Sequence, residues 1–223
     1  MTPRQIDRFF RVLAHELEAP ALVIVTGAAA GSLFGHVRPS LDVDFAIRLT
    51  RRGQSGWDKL AQAVDRTVQL TRTRAHYTED IDRWGPISLL DYRRHTLPYR
   101  RFGNLQVRLL APAYWSIGKI SRYLDPDVHD LVDVLKRQRI PAGRLARLWG
   151  QALRESPRST ACAQFRAQAE HFLRTFGRTI WGARFDPESA ISRFYRAAGM
   201  TPSQTAGGRA WPRRRGSALR AGG

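Results

Sequence analysis

Cysteine is nearly absent from this 223-residue chain. Cys162 is the only one, which excludes internal disulfides and any cysteine-ligated zinc site. Lysine is almost as scarce: Lys59, Lys119 and Lys136 stand among 37 Lys plus Arg. That shortage is the arginine-for-lysine exchange expected of a G+C-rich genome, and it alters no charge. Acids are few as well, 19 Asp plus Glu, which leaves a net charge of +18. A surplus so large favours a polyanionic partner, nucleic acid first. No apolar run approaches the ~18 residues of a membrane span. The stretch from Met1 to Glu18 is amphipathic and mixed in charge, unlike the basic-then-apolar order of a signal peptide. A soluble cytoplasmic protein is expected.

What is present suffices for a core, since 43% of the residues are hydrophobic. Thr2 and Pro3 make a helix start, a capping hydroxyl followed by proline at the first helical position. Ile6, Phe9, Phe10, Leu13 and Leu17 then hold helical spacing, and Pro20 closes the segment. Ala21 to Val25 is a short continuous apolar run suited to a strand covered on both faces. It meets a small-residue turn and short helix from Gly27 to Gly35, and a second strand follows over Val43 to Ile47. Gln54 to Thr71 reads as a helix with Trp57, Leu60, Ala61, Val64, Val68 and Leu70 inward. Ile87 to Leu90 and Leu105 to Leu109 are further strand candidates. From Pro112 to about Gly199 the pattern is helical, broken at Pro141 and Pro157. The last 23 residues carry five arginines, five glycines and no acid, a composition that supports no core. The expected architecture is α/β (α+β), a small mixed sheet with flanking helices over 1–140. A helical C-terminal region over 141–200 and a disordered basic tail over 201–223 follow.

The chemistry concentrates between Val25 and Phe45. A strand ending at Gly27 and running into small residues presents backbone N–H groups as a helix begins, a geometry that cradles phosphate oxygens. Gly27, Ala28 and Ser32 are the candidate cradle, Ser32 adding a hydroxyl. Asp42 and Asp44, at i and i+2 of the next strand, project from one face. Two carboxylates so placed repel unless a cation lies between them, and Mg²⁺ prefers such oxygen ligands together with substrate phosphates. A phosphate cradle beside a divalent-metal site is equipment for phosphoryl or nucleotidyl transfer.

At these residues the chain resembles the nucleotidyltransferase superfamily of polymerase-β-like fold. The segment from Gly27 to Gly35, followed by Arg38-Pro39-Ser40-Leu41-Asp42-Val43-Asp44-Phe45, is similar to AbiEii-type toxins and to related uncharacterised bacterial nucleotidyltransferase-like proteins. Ala28 stands where the pattern usually has a second glycine. A second block, Leu109 to Arg122 followed by Asp127, Asp130 and Asp133, resembles the family's Lys/Arg-bearing helix and the Asp-x-x-Asp helix after it. The resemblance puts Lys119 on the family's lysine position, where its point charge suits a triphosphate. It favours Asp130 as a site residue that orders Lys119 or the acceptor. Read alone, Asp127, Asp130 and Asp133 are equally a solvated acidic face paired to Arg137 and Arg139. Many nucleotidyltransferases carry a third metal-binding carboxylate; Asp91 is the candidate here, and a turn residue is its other reading.

The expectation is therefore an Mg²⁺-dependent enzyme that moves a nucleoside monophosphate from an NTP to an acceptor hydroxyl. Asp42 and Asp44 hold the metal, and Lys119 neutralises the leaving pyrophosphate. The charge makes RNA the expected acceptor, with tRNA a candidate. The resemblance implies a toxin–antitoxin or phage-defence setting and, with it, a cognate antitoxin as candidate partner. The rival reading is a catalytically inactive protein of the same fold, acting as a basic RNA- or partner-binding module. His36 and His129 read as polar packing, and the aromatic residues from Trp149 to Tyr195 as core.

Overall fold

The computed structural model describes residues 1–35, 40–50 and 54–200. His36, Arg38, Pro39 and the tail expected over 201–223 lie outside the described residues. Helix α1, Pro3–Leu17, opens on a capping box: the Gln5 amide donates to Thr2 Oγ1 at 3.4 Å and the Thr2 amide to Gln5 Oε1 at 2.7 Å. The apolar stripe read from its spacing is buried throughout. Strand β1, Ala21–Thr26, follows, then the short helix α2, Gly27–Leu33, strand β2, Asp42–Leu49, and helix α3, Gln54–Thr71. Three further strands are β3, Arg74–Thr78, β4, Thr96–Phe102, and β5, Leu105–Leu110.

They form one mixed sheet in the order β3-β2-β1-β5-β4. The central β1 is antiparallel to β2 and parallel to β5, and its Val23, Ile24 and Val25 are buried as a strand covered on both faces requires. β2, α3 and β3 make a crossover unit with β3 parallel to β2, pairing Asp44 with His76. One face of the sheet is closed by α1, whose Phe9 and Phe10 meet Phe45 edge-on at 6.0 and 5.7 Å, with α3 packed beside it. Each buried phenyl contributes roughly 1.5–3 kcal/mol relative to exposure. Because side chains alternate along a strand, Phe45 on that face puts Asp44 on the other.

The described residues after β5 are helical, and the first of these helices meets Asp44 across a cleft. The remaining described α-helices are α4, Pro112–Arg122, α5, Asp125–Gln138, α6, Ala142–Glu155, α7, Thr160–Trp181, and α8, Pro187–Ala197, and two 3-10 turns lie at Ile81–Trp84 and Tyr92–Arg94. Trp149 is fully buried, its Nε1 donating to Ser116 Oγ at 2.9 Å and its ring edge-on to Phe172. A single apolar core runs from Ile6 to Ala198. No described helix is long and apolar enough to cross a membrane.

Three local expectations fail. Ile87 to Leu90 is not a strand: Leu90 has φ +57°, the Ser88 amide donates to Ser156 Oγ at 2.9 Å, and the Leu89 amide to Asp82 Oδ1. These side-chain partners replace a ladder. On α3, Trp57 and Leu70 are exposed, while Ala63 and Thr67 are buried with Leu60 and Val64. The inward face is centred one position away from the one the spacing suggested. Finally, β3 and β4 were not expected, and both are edge strands.

Candidate active site

Asp42 and Asp44 leave β2 on the same face, and the neighbouring edge strand adds His76. Its Nδ1 lies 3.2 Å from Asp44 Oδ1 and 3.5 Å from Asp42 Oδ2. One donor atom from each of the three falls within 4.8 Å of the others. Asp42 is steadied from its own strand entry, where the buried Ser40 hydroxyl donates to the Asp42 carbonyl at 2.6 Å and to Oδ1 at 3.3 Å. Asp44 is the deeper carboxylate. Burial first, and then the neighbouring Asp42, hold its carboxyl above the usual range, while His76 and Arg122 pull the other way.

Gly27 explains how Asp44 fits. It has φ +63°, a left-handed conformation that glycine takes without strain, and a Cβ there would stand 1.9 Å from Asp44 Oδ2. The β1–α2 turn is held in place from α4, where Trp115 Nε1 donates to the Gly27 carbonyl at 2.8 Å. Ala28 is half-buried on the first turn of α2. Ser32 is buried within α2 and is not among the residues that line the cleft described next.

A cleft of about 190 Å³ opens beside these groups. Thr26, Gly27, Asp44, Lys119 and Arg122 form its polar side, and Ile81, Trp84, Ile87, Leu89 and Leu110 its apolar wall. The wall is a loop braced by Tyr92, whose hydroxyl donates to Asp80 Oδ1 at 3.0 Å and accepts from the Ile81 amide. Burial and that carboxylate push its ionisation up to about 12.

Lys119 reaches the cleft from below. Its side chain is 2% exposed, and Nζ donates to Asp127 Oδ1 and Asp130 Oδ2, each at 2.7 Å, with the Trp115 ring 5.3 Å away. The solvated acidic face is thus corrected for Asp127 and Asp130, which are buried, while Asp133 is exposed. Arg122, one turn on from Lys119, closes the network through two bonds to Asp127 at 2.8 and 3.2 Å, yet keeps 56% of its side chain exposed. Among the described residues it is the accessible cation lining the cleft, and its field reaches Asp44. Asp91 is exposed, bonded to Arg94 at 3.0 Å, and not part of the Asp42–Asp44–His76 cluster.

The donor set fits a divalent cation. Two carboxylates with an open solvent side suit Mg²⁺, which completes its shell with water and substrate phosphates. The His76 imidazole is a donor that Zn²⁺ accepts more readily than Mg²⁺ does. Two residues of the site escaped the sequence reading. Arg122 ends the segment that resembles the family's Lys/Arg-bearing helix but was given no role. His76 sits on an unrecognised strand, although a helix following strand β2 asks for a parallel partner, and Ala75 and Tyr77 alternate as such a strand would. No protein-family model, no curated protein and no solved structure matches the chain.

Proposed function

We propose that the chain is a divalent-metal-dependent nucleotidyltransferase that carries a nucleoside monophosphate from an NTP to a hydroxyl of RNA. The observation that carries this reading is the Asp44 carboxylate seated against the Gly27 backbone with Asp42 and His76 within 4.8 Å, at the mouth of a cleft. Bound there by Asp42 and Asp44, Mg²⁺ would supply charge neutralisation at the transferred phosphate. The α2 first turn has backbone N–H groups with no intrahelical partner, which suit phosphate oxygens. Arg122 is the side chain with exposed charge to meet the leaving pyrophosphate, and Lys119 positions it through their shared Asp127. The apolar wall around Trp84 offers a surface for the nucleoside. The net charge of +18 favours RNA over a cationic small acceptor.

The test is transfer of label from each α-phosphate-labelled NTP to total RNA, with Mg²⁺, Mn²⁺ or Zn²⁺ supplied in turn. Label enters RNA with the intact chain, and Asp42→Ala and Asp44→Ala each abolish it while melting cooperatively. Wild-type turnover in both variants overturns the reading. No transfer with any ion, together with retained RNA binding, assigns the chain to the inactive binding module instead.

A further inference from the structure

The solvent face of α1 is cationic along its length. Arg4, Arg8, Arg11 and His15 are exposed and recur at helical spacing, so they form one stripe opposite the buried face of Ile6, Phe9, Phe10, Leu13 and Leu17. At 1.5 Å per residue the stripe spans roughly 16 Å. The arrangement does not serve the helix. The first turn holds no acid, which the helix dipole would favour there, and carries Arg4 instead. Arg4 and Arg8, at i and i+4, add a like-charge pair.

At its far end the stripe meets the β4–β5 hairpin. Arg11, His15, Arg100, Arg101, Phe102 and Gly103 line an open groove of about 560 Å³. Among the described residues no acid lines it, and the acids beside it are engaged elsewhere. Asp7 is buried and accepts from Arg100 Nη1 at 2.6 Å and from the Tyr99 hydroxyl at 2.7 Å. Glu16 meets Arg66 at 3.0 Å and His15 at 3.3 Å. The Arg11 and Arg101 side chains make no ion pair or hydrogen bond among the described residues. Arginines gathered in one groove without acids repel one another, and an anion relieves that repulsion.

Strand β4 joins this groove to the cleft. Its first residue, Thr96, pairs with Leu110 of the cleft wall, and its last, Phe102, lies in the groove, roughly 20 Å away at the rise of a strand. β4 is an edge strand and mostly exposed, so the path between them is open. A lone phosphate would engage one or two of these cations. Stripe and groove together match negative charge repeated over a length, which a nucleic-acid backbone carries.

We propose that the α1 face and the β4–β5 hairpin form a docking surface for the sugar–phosphate backbone of the acceptor RNA, remote from the reacting hydroxyl. The proposal rests on the reading of RNA as acceptor. An RNA strand laid along the β4 edge reaches the cleft with one part while phosphates of another part lie against Arg101 and Arg11. The contact fixes register and orientation without reading sequence.

The experiment measures binding by the full-length chain without NTP or added metal, so that no turnover occurs. The probe is a long fluorescent single-stranded RNA of mixed sequence, at several salt concentrations. Arg11→Gln with Arg101→Gln removes the two groove cations that hold no partner, and should leave the melting temperature unchanged. Arg100 stays, because Asp7 would otherwise be buried without its cation. Arg158→Gln with Arg184→Gln, exposed residues flanking α7, removes equal charge as the control. The groove pair should weaken binding about tenfold at low salt and lower the log–log salt slope by roughly 1.4, two contacts at about 0.7 each. The control pair should keep a slope near wild type. An unchanged slope in the groove variant overturns the proposal, and so does an equal fall in both variants, which assigns the effect to net charge. Loss of binding to phosphatidylserine vesicles with RNA affinity unchanged also overturns it, by assigning the face to a lipid surface. If the intact chain labels RNA while the groove variant binds RNA as the wild type does, the docking surface fails and the transferase reading stands. If no label is transferred and the groove variant alone loses slope, the docking surface stands and the transferase reading fails.

Discussion

The Asp44 carboxylate fills the volume that a side chain at residue 27 would need. A Cβ on Gly27 would lie 1.9 Å from Asp44 Oδ2 and 2.8 Å from its Cγ, at a backbone φ of +63°. Gly27→Ala should therefore cost about 1–3 kcal/mol through left-handed strain alone. It should also push Asp44 out of the cluster and lower transfer at least tenfold. Adding Asp44→Ala removes the nearest clashing atoms, so the double variant should be more stable than the sum of the two single losses predicts. Denaturant titrations of the four proteins check this; strict additivity would mean that the two residues do not meet.

Asp44→Asn should raise the melting temperature of the metal-free protein at neutral pH. The folded chain holds the Asp44 carboxyl above its ordinary value, through burial first and then through Asp42. The unfolded chain ionises it near ~3.9. The folded state therefore binds the proton more tightly, which favours folding at acid pH; that advantage fades as pH rises through the folded value. The asparagine variant escapes the loss, so its advantage should be largest near neutrality and vanish at about pH 3. Saturating Mg²⁺ should reverse the order, because only the wild type gains a full ligand set. Melting curves across pH, with and without the ion, decide it.

Much of this site was legible in sequence because it lies on the buried half of the sheet. The apolar runs of β1 and β5 and the helical spacing of α1 are written in inner-face residues that are mostly apolar. Asp42 and Asp44 stood out against them. The edge strands gave no such contrast. β4 contains Pro98, admissible at a sheet edge beside a shift of register, and is mostly exposed, so it shows no continuous apolar run. β3 is only half-buried and has no apolar run to announce it, so His76 drew no notice. Ile87 to Leu90 misled in the opposite sense. Its apolar side chains line a cleft and its amides bond to Ser156 and Asp82, so apolarity there marks a wall rather than a strand. Lys119 was found by position, but sequence could not show that two carboxylates enclose it.

That enclosure makes Lys119 a stability residue as much as a site residue. Lys119→Met leaves Asp127 and Asp130 buried and facing one another without their shared ammonium, which should cost about 3–5 kcal/mol. Asp127→Asn and Asp130→Asn introduced with it should recover most of the loss, since a neutral buried cluster carries no such penalty. Lys59, exposed on α3, should tolerate alanine within about 0.5 kcal/mol. Urea midpoints give the comparison. A Lys119→Met protein of wild-type stability would show that the ammonium contributes nothing to the fold.

Arg122 should behave in the opposite way. Its side chain is 56% exposed, and exposed ion pairs contribute about 0.2–1 kcal/mol, so Arg122→Ala should melt close to wild type. The same variant should raise the KM for NTP about tenfold or more, because the cleft loses its accessible cation. Arg122→Lys should restore part of this, but not the two-pronged contact with Asp127. Equal stability losses in the Lys119 and Arg122 variants would contradict the division of labour between them.

Removing residues 201–223 should weaken RNA binding without touching the chemistry. The segment carries five arginines and no acid, so the shortened chain keeps a net charge of +13. Each arginine that neutralises a phosphate releases a counterion, and steepens the salt dependence of affinity for single strands by roughly 0.7 in log–log slope. The shortened chain should bind RNA more weakly at low salt and with a shallower slope, the two proteins converging as salt rises. Every residue assigned to the cleft precedes residue 123, so turnover at saturating RNA should stay near normal. Affinities at several salt concentrations decide it: parallel slopes would deny these arginines any phosphate contact.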